Sequence, residues 1–543
     1  MTPTDEQKNI IDASGHIVVV ARPGSGKTFV LSEKIRELLP LMKSYEGVIA
    51  ISFTNKASKE LKDRSLKGGF DKKESFFGTI HKFYISEIIL SFGKQVFGLP
   101  ENEIEILDIK QAVLENEEKT YLEYIEKNFD SSDSSHIDYL RSLFNQGSIY
   151  LNLIEVFAIY IYDHSSACRN YLKSKYKYVI IDEFQDCGKE QFEVFIKLKD
   201  LGLSAIAVGD LDQSIYEFTG KSPEFLSSLI NNSDFTTFSL TRNHRCHPSI
   251  INYSLSLMSP NVELLQTNDI RIYHINITGN ELRIATWIDT HIQGMCNSFG
   301  VESLSDVAIL TRGHRTATFI DNNMTTPHKI LKQSSLESDN NQVSQLFDNI
   351  LKFSYDTKLT ITEVIEMFIS LETLKTNEQK ELIKHFGNIK LILNSADPNL
   401  LEVKSSCEKI AEKLTPNQNK ESSLELLNYV LNNELEIYSV ASGNEIQIMT
   451  LHKSKGLEFD IVFHLDLYEW VLPQKQPGIN NDFNNPIYGS WNQDLNLHYV
   501  GVTRAKKACI LCTSTKRTNG QNEIRNGNPS EFLSLNNVQS LRK

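Results

Sequence analysis

Short runs of apolar, often β-branched residues recur along this chain, each followed by a polar or glycine-broken turn and then by a stretch with helical spacing. Ile17 to Val20 read as a buried strand, Pro23, Gly24 and Gly26 as a tight turn, and the segment from Thr28 onward as a helix. The block continues through "EGVIAISFTNKASKEL" at 46–61 and "FFGTIHKFYISEII" at 76–89, and the strand pattern returns at "YVIIDE", 178–183, and at Ala205–Val208. A second block is expected after Thr241 and includes "VAILTR" at 307–312. Polar, helix-like sequence with the amphipathic "ESSLELLNYVLNNELEI" then precedes "IQIMTLHKSKGLEFDIVFHLDL", where strand patterning resumes.

This departure and return predicts two α/β domains, each interrupted by an insertion. The first comprises 1–90 and 175–240, around a helical insertion at 91–174; the second comprises 241–334 and 441–543, around a shorter insertion at 335–440. A structureless connection as long as the first insertion would be unusual, so it is expected to fold. "SIYLNLIEVFAIYIY", from Ser148, is short and carries Asn152 and Glu155, which predicts a buried helix and no membrane span. "NNSDF", "NQNKESS" and "TKRTNGQNEIRNGNPS" are turn-rich and expected to be loops or linkers.

At 543 residues the chain exceeds one ordinary core and suggests three or four domains. A composition of 40% hydrophobic and 23% charged residues marks a folded, soluble protein. The net charge of -13 excludes a uniformly basic nucleic-acid binder but leaves room for a local positive groove. Of seven scattered cysteines, only Cys509 and Cys512 have a metal-like spacing; they lie in the apolar "ACILCTS" with no second pair, so packed, reduced thiols are expected. "MTPTDEQKN" has no apolar signal core, and a cytoplasmic location is expected.

The candidate chemistry begins in "ARPGSGKT". Gly24, Ser25 and Gly26 can turn successive N–H groups toward phosphate, with Lys27 supplying positive charge and the Thr28 hydroxyl a magnesium ligand at a helix N-terminus. In "YVIIDEFQD", Asp182 and Glu183 fall at the carboxyl end of a strand, the ligand edge of a parallel sheet. Asp182 can coordinate magnesium through water while Glu183 polarises the attacking water. Gln213, just beyond the next strand, can touch both water and a terminal phosphate; Tyr216 and Phe218 can stack on bases or pack a core. Arg245 and Arg504 are either surface arginines or guanidinium groups delivered from the second domain to a transferring phosphoryl group.

The ordered series "ARPGSGKT", "AISFTNKAS", "FFGTIHKF", "VIIDEFQD", "VGDLDQSIY", "LTRNHR", "MTLHKSKGLEFD" and "YVGVTRAKK" resembles the UvrD/Rep family of superfamily 1 DNA helicases and translocases, from Gln7 to Arg504. The resemblance implies an α/β fold of two RecA-like P-loop domains with mainly helical insertions, and ATP and Mg2+ as ligands. It implies that Gln7 recognises adenine, that Lys27 and Thr28 handle phosphate and metal, and that Asp182 and Glu183 organise hydrolysis. Gln213, Arg245 and Arg504 would sense or clamp the terminal phosphate, and Gly456 and Glu458 would communicate between nucleotide and DNA. Thr54, Asn55, Thr79 and His81 resemble DNA-contacting positions, with Tyr216 and Phe218 near the bases. His452 resembles a coupling residue, although a structural histidine fits it nearly as well.

Three departures stand out. Phe218-Thr219 replaces the family's Trp-Arg pair, His244 replaces a tyrosine that stacks on adenine, and the second insertion is short. The expected activity is therefore magnesium-dependent ATP hydrolysis coupled to movement on single-stranded or 3′-tailed DNA, with limited unwinding. The family resemblance supports 3′-to-5′ polarity. The alternative is a DNA- and nucleotide-responsive regulatory subunit of a nuclease-containing defence complex.

Overall fold

The computed structural model describes residues 2–107, 116–213, 223–339, 341–356, 359–369, 374–416, 418–479, 482–519 and 523–543. Its frame is two six-stranded sheets whose neighbouring strands all run parallel. The first contains β1 (Ile17–Ala21), β2 (Gly47–Ile51), β3 (Phe76–Gly78), β4 (Tyr176–Ile181), β5 (Ser204–Gly209) and β6 (Thr236–Leu240), in the order β3-β2-β4-β5-β1-β6. The second contains β7 (Ile272–Ile277), β8 (Val307–Thr311), β9 (His328–Ile330), β10 (Ile446–Thr450), β11 (Phe459–His464) and β12 (Ala505–Ser514), in the order β9-β10-β8-β11-β12-β7.

The central strands are apolar on both faces because helices cover both sides. Val18, Val19, Ile180 and Ile206 in the first sheet, and Ile309, Ile461 and Ile510 in the second, are fully buried. Both sheets fall in one compact unit, residues 1–92, 161–330 and 443–543. A second unit gathers residues 93–160 and 331–442. One of its cores is helical and built on Leu346, Phe347, Ile350, Phe386 and Ile410. All seven cysteines are buried, and none forms a disulfide.

The apolar stretch from Ser148 departs from the expected helix at its start. Ser148–Tyr150 form a short strand paired with Glu105–Leu107, and the α-helix runs only over Ile154–His164. Gly147, in a left-handed conformation, ends the preceding helix and turns the chain out, so the first residues take sheet hydrogen bonds. Two of the expected loops also carry structure: "NQNKESS" runs into the helix Glu421–Asn433, and the tail holds an antiparallel pair, Lys516–Thr518 with Ile524–Asn526.

Helix α1 (Asp5–Asp12) brings Gln7 to the first sheet and is fixed at both ends. Thr4 and Gln7 form a capping box at its start. At its end, the buried Lys34 of helix α2 (Lys27–Leu38) donates to the carbonyls of Ile10, Ile11 and Ala13 at 3.2, 2.9 and 2.5 Å. Replacing Lys34 by methionine keeps the stem but leaves those carbonyls unpaired, and should cost about 1–3 kcal/mol. Urea denaturation followed by circular dichroism measures it; an unchanged midpoint would mean the ammonium is dispensable.

Candidate nucleotide site

β1 runs into a loop whose glycines are there for space as well as conformation. Gly24 and Gly26 have φ of 68° and 88°, where side chains are strained. A Cβ on Gly24 would stand 2.7 Å from both Arg245 Cβ and Asn243 Oδ1, and one on Gly26 would stand 2.7 Å from Gln7 Nε2. Gly26 caps α2 without a side chain, leaving the helix N-terminus open to an anion. Gln7 braces the loop: its Nε2 donates to Ser25 O at 3.0 Å, and its Oε1 accepts from Thr4 N. Ser25 is buried.

Asp182 and Glu183 leave the carboxyl end of β4, one strand away from β2. Glu183 has φ of 54°, a left-handed backbone conformation uncommon for a side-chain-bearing residue. Its amide is fixed by the preceding carboxylate, Asp182 Oδ1 accepting at 2.9 Å. Lys27 Nζ lies 3.2 Å from Glu183 Oε2, and Gln185 Nε2 donates to the same oxygen at 2.6 Å. Gln185 Oε1 in turn accepts from Asp210 N at 2.9 Å, and Gln213 Nε2 donates to Asp210 Oδ2 at 2.5 Å.

The electrostatics separate the two acids. Burial and the adjoining Glu183 carboxylate push Asp182 well above the usual carboxylate range. Burial opposes the charge on Glu183 as well, but Lys27 and Lys455 outweigh it and hold Glu183 low. Burial likewise works against Lys27, yet Glu183, Asp210 and Asp182 together keep its ammonium charged. Burial raises Asp210 to about 6 despite Lys27.

Side chains from the second sheet complete the network. Arg504, nearly fully buried at the end of helix α3 (Trp491–Thr503), is held by Val500 O and Leu457 O, both at 3.1 Å, and its Nη2 reaches Gln213 Oε1 at 3.3 Å. Burial and Arg245 lower its guanidinium to about 10. Lys455 donates to Asp186 Oδ2 at 2.6 Å and to Gln213 O at 3.1 Å, pinning the loop before Gly456, itself at φ of 82°. Arg245 pairs with Glu458 at 2.7 Å, and His244 N donates to Gly24 O at 2.8 Å. Asn243 Oδ1 accepts from the amides of Arg245 and Cys246, which shapes that turn.

A continuous polar path thus runs from Lys27 through Glu183, Gln185, Asp210 and Gln213 to Arg504. Gln185, Asp186, Asp210, Asn243 and Lys455 were not among the expected site residues, although each sits inside one of the quoted motifs. Outside this path, Thr54 caps the helix Asn55–Leu66 after β2, accepting from Ala57 N at 3.1 Å. Thr79 begins the short helix carrying the exposed His81 after β3. Burial, with Arg312 and Lys455 nearby, lowers His452 to about 4. Tyr216 and Phe218 lie outside the described residues, as does the side chain of Asn55.

The donor set suits magnesium. Thr28 and Asp182 offer hard oxygens, the kind of ligand magnesium takes. Among the described residues no three or more His, Cys, Asp or Glu side chains form a metal cluster. Magnesium commonly takes one or two carboxylates plus substrate phosphates, so such a cage is not required.

Comparison with known proteins bears on the same residues. An AAA domain family matches residues 7–219, and the UvrD-like helicase C-terminal domain family matches residues 396–516. The Gabija protein GajB of Bacillus cereus is 27% identical over 520 residues, covering 94% of this chain and 95% of its own. The ATP-dependent DNA helicase Rep of Buchnera aphidicola is 24% identical over 646 aligned positions, covering 97% and 95%. The ATP-dependent DNA helicase PcrA of Staphylococcus aureus is 22% identical over 621, covering 95% and 83%. Among the described residues no helix is long and apolar enough to cross a membrane.

Proposed function

We propose, for a chain that belongs to the UvrD/Rep family of superfamily 1 DNA helicases, that ATP hydrolysis between its two sheets drives 3′-to-5′ movement along single-stranded DNA. The chain is an α/β protein of RecA-like P-loop domains and a DNA-dependent ATPase of the helicase class. The direction, the domain limits 1–90 with 175–240 and 241–334 with 441–543, and the residue roles that follow are our reading. The observation that carries the residue roles is the polar path joining Lys27 to Arg504, while the direction rests on the resemblance of the ordered motifs to the family.

In this reading Gly24, Ser25 and Gly26 cradle the phosphates, Gln7 and His244 border the base, and Lys27 exchanges Glu183 for phosphate oxygens. Thr28 and Asp182 would hold magnesium, which when bound neutralises phosphate charge. Glu183, released from Lys27, orients and deprotonates water. Gln213 senses the terminal phosphate, Arg504 and Arg245 stabilise charge on the transferring group, and Glu458 and Gly456 relay closure. Thr54, Asn55, Thr79, His81, Tyr216, Phe218 and His452 are assigned to DNA contact on the family resemblance. The site is taken to work in the cytoplasm.

Phosphate release with magnesium, with and without single-stranded DNA, tests the reading, run beside displacement of a protein block bound at either DNA end. DNA is expected to raise turnover several-fold, and blocks at the 5′ end to be displaced. Equal low rates under both conditions would reject DNA coupling, and displacement only at the 3′ end would reverse the direction. Long 3′-tailed duplexes should be unwound poorly by the chain alone.

One observation favours the second reading, a DNA- and nucleotide-responsive subunit acting with a nuclease or other effector protein. The helicase alignments run over 621 and 646 positions, longer than this 543-residue chain, whereas the Gabija alignment runs over 520 and covers nearly all of both proteins. DNA-stimulated hydrolysis without translocation, together with copurification of a nuclease, would support that alternative.

A further inference from the structure

Helix α3 carries a second polar group toward the nucleotide site, five residues before Arg504. Tyr499 is fully buried, and its hydroxyl has no hydrogen-bond partner among the described residues. α3 packs on the turn Leu211–Gln213, and the electrostatic neighbours of the phenol are Asp210 and Asp212, then Arg22 and Cys246. A buried hydroxyl without a partner is uncommon and calls for an explanation.

The two acids differ in what they can still accept. Both oxygens of Asp210 are engaged, Oδ1 by Asp212 N at 3.1 Å and Oδ2 by Gln213 Nε2 at 2.5 Å. The Asp212 carboxylate takes no hydrogen bond among the described residues and sits beside Arg22, the residue that opens the phosphate loop. A movement of α3 against the Leu211–Gln213 turn that brings the phenol onto Asp212 would supply Tyr499 with an acceptor and the Asp212 carboxylate with a donor. The same helix and turn also carry the 3.3 Å contact of Arg504 with Gln213.

We propose that Tyr499 is a positioning residue whose hydroxyl donates to the Asp212 carboxylate only when nucleotide closes the site, fixing the Gln213 turn in register with Arg504. The inference rests on the ATPase reading above and adds a pair of residues to it. Tyr499→Phe removes the hydroxyl and keeps the ring that fills the core, so folding is preserved; Asp212→Asn removes the acceptor charge.

The test is a double-mutant cycle on the full chain, comparing the parent, Tyr499→Phe, Asp212→Asn and the double variant. DNA-stimulated phosphate release and thermal midpoints are read with and without a non-hydrolysable ATP analogue plus magnesium. Each single variant should lose about tenfold in turnover, the scale of a modest misplacement of a catalytic group, with the double variant no worse than either. Coupling between the two positions should show in the midpoints with the analogue and vanish without it. Additive losses, parent-like turnover in Tyr499→Phe, or equal coupling in both states would overturn the inference while leaving the ATPase reading intact. A folded parent that neither responds to the analogue nor releases phosphate would sink both.

Discussion

Glu183→Gln is expected to lower ATP turnover by about 10²–10⁴-fold, the usual range for a lost general base, while nucleotide binding survives. Glutamine keeps the size of the side chain but cannot take a proton. Binding should persist because Lys27 is freed from its 3.2 Å ion pair and presents its charge to phosphate alone. Lys27→Ala is the contrasting change: it removes the positive group from the cradle and should weaken binding and turnover together. Phosphate release, beside titration with a fluorescent ATP analogue, separates the two. If folded Glu183→Gln turned over ATP within a few-fold of the parent, Glu183 would not be the base.

Removing the Arg504 guanidinium should cost at least about 10³ in turnover, the lower end of what an arginine acting on a transferring phosphoryl group contributes. Arg504 is suited to this because its place is set before nucleotide arrives: two carbonyls, Val500 and Leu457, hold it against Gln213. Arg504→Ala also strands those carbonyls in a buried site, so Arg504→Lys is the companion variant, keeping charge without the planar fork. Both should bind ATP within a few-fold of the parent and show no DNA-stimulated phosphate release. Turnover within tenfold of the parent in Arg504→Lys, with Arg504→Ala still folded, would place the guanidinium outside the reaction.

What the sequence disclosed follows from how local each feature is. β1, the glycine loop and α2 are contiguous, so one stretch of residues states the strand, the turn and the anion-binding helix end. The "VIIDE" pair drew its meaning from the phosphate loop, since two acids at the end of an apolar run read equally well as an exposed strand end when taken alone. The polar path was not. Gln185 matters because it meets Asp210, 25 positions on, and Asp186 because it meets Lys455, 269 positions on. Such meetings depend on strand order, and strand order is not written in a motif. The strand at Ser148–Tyr150 was hidden for the same reason, its partner lying at Glu105–Leu107. An apolar run reads alike as helix or strand until its neighbour is known.

The left-handed backbone of Glu183 has a consequence for how this chain can change over generations. At φ of 54° a residue with a Cβ gives up about 1–2 kcal/mol that glycine would not. Glycine at position 183 would also end the crowding of two buried acids. In the proposed reading, a lineage released from the need to hydrolyse ATP sheds that backbone cost by losing Glu183 only if Lys27, its 3.2 Å ion-pair partner, is replaced as well. Glycine or asparagine after Asp182, together with a neutral residue at the Lys27 position, would then mark in a sister sequence a lapsed motor whose fold has outlived its chemistry, readable from those two columns of an alignment.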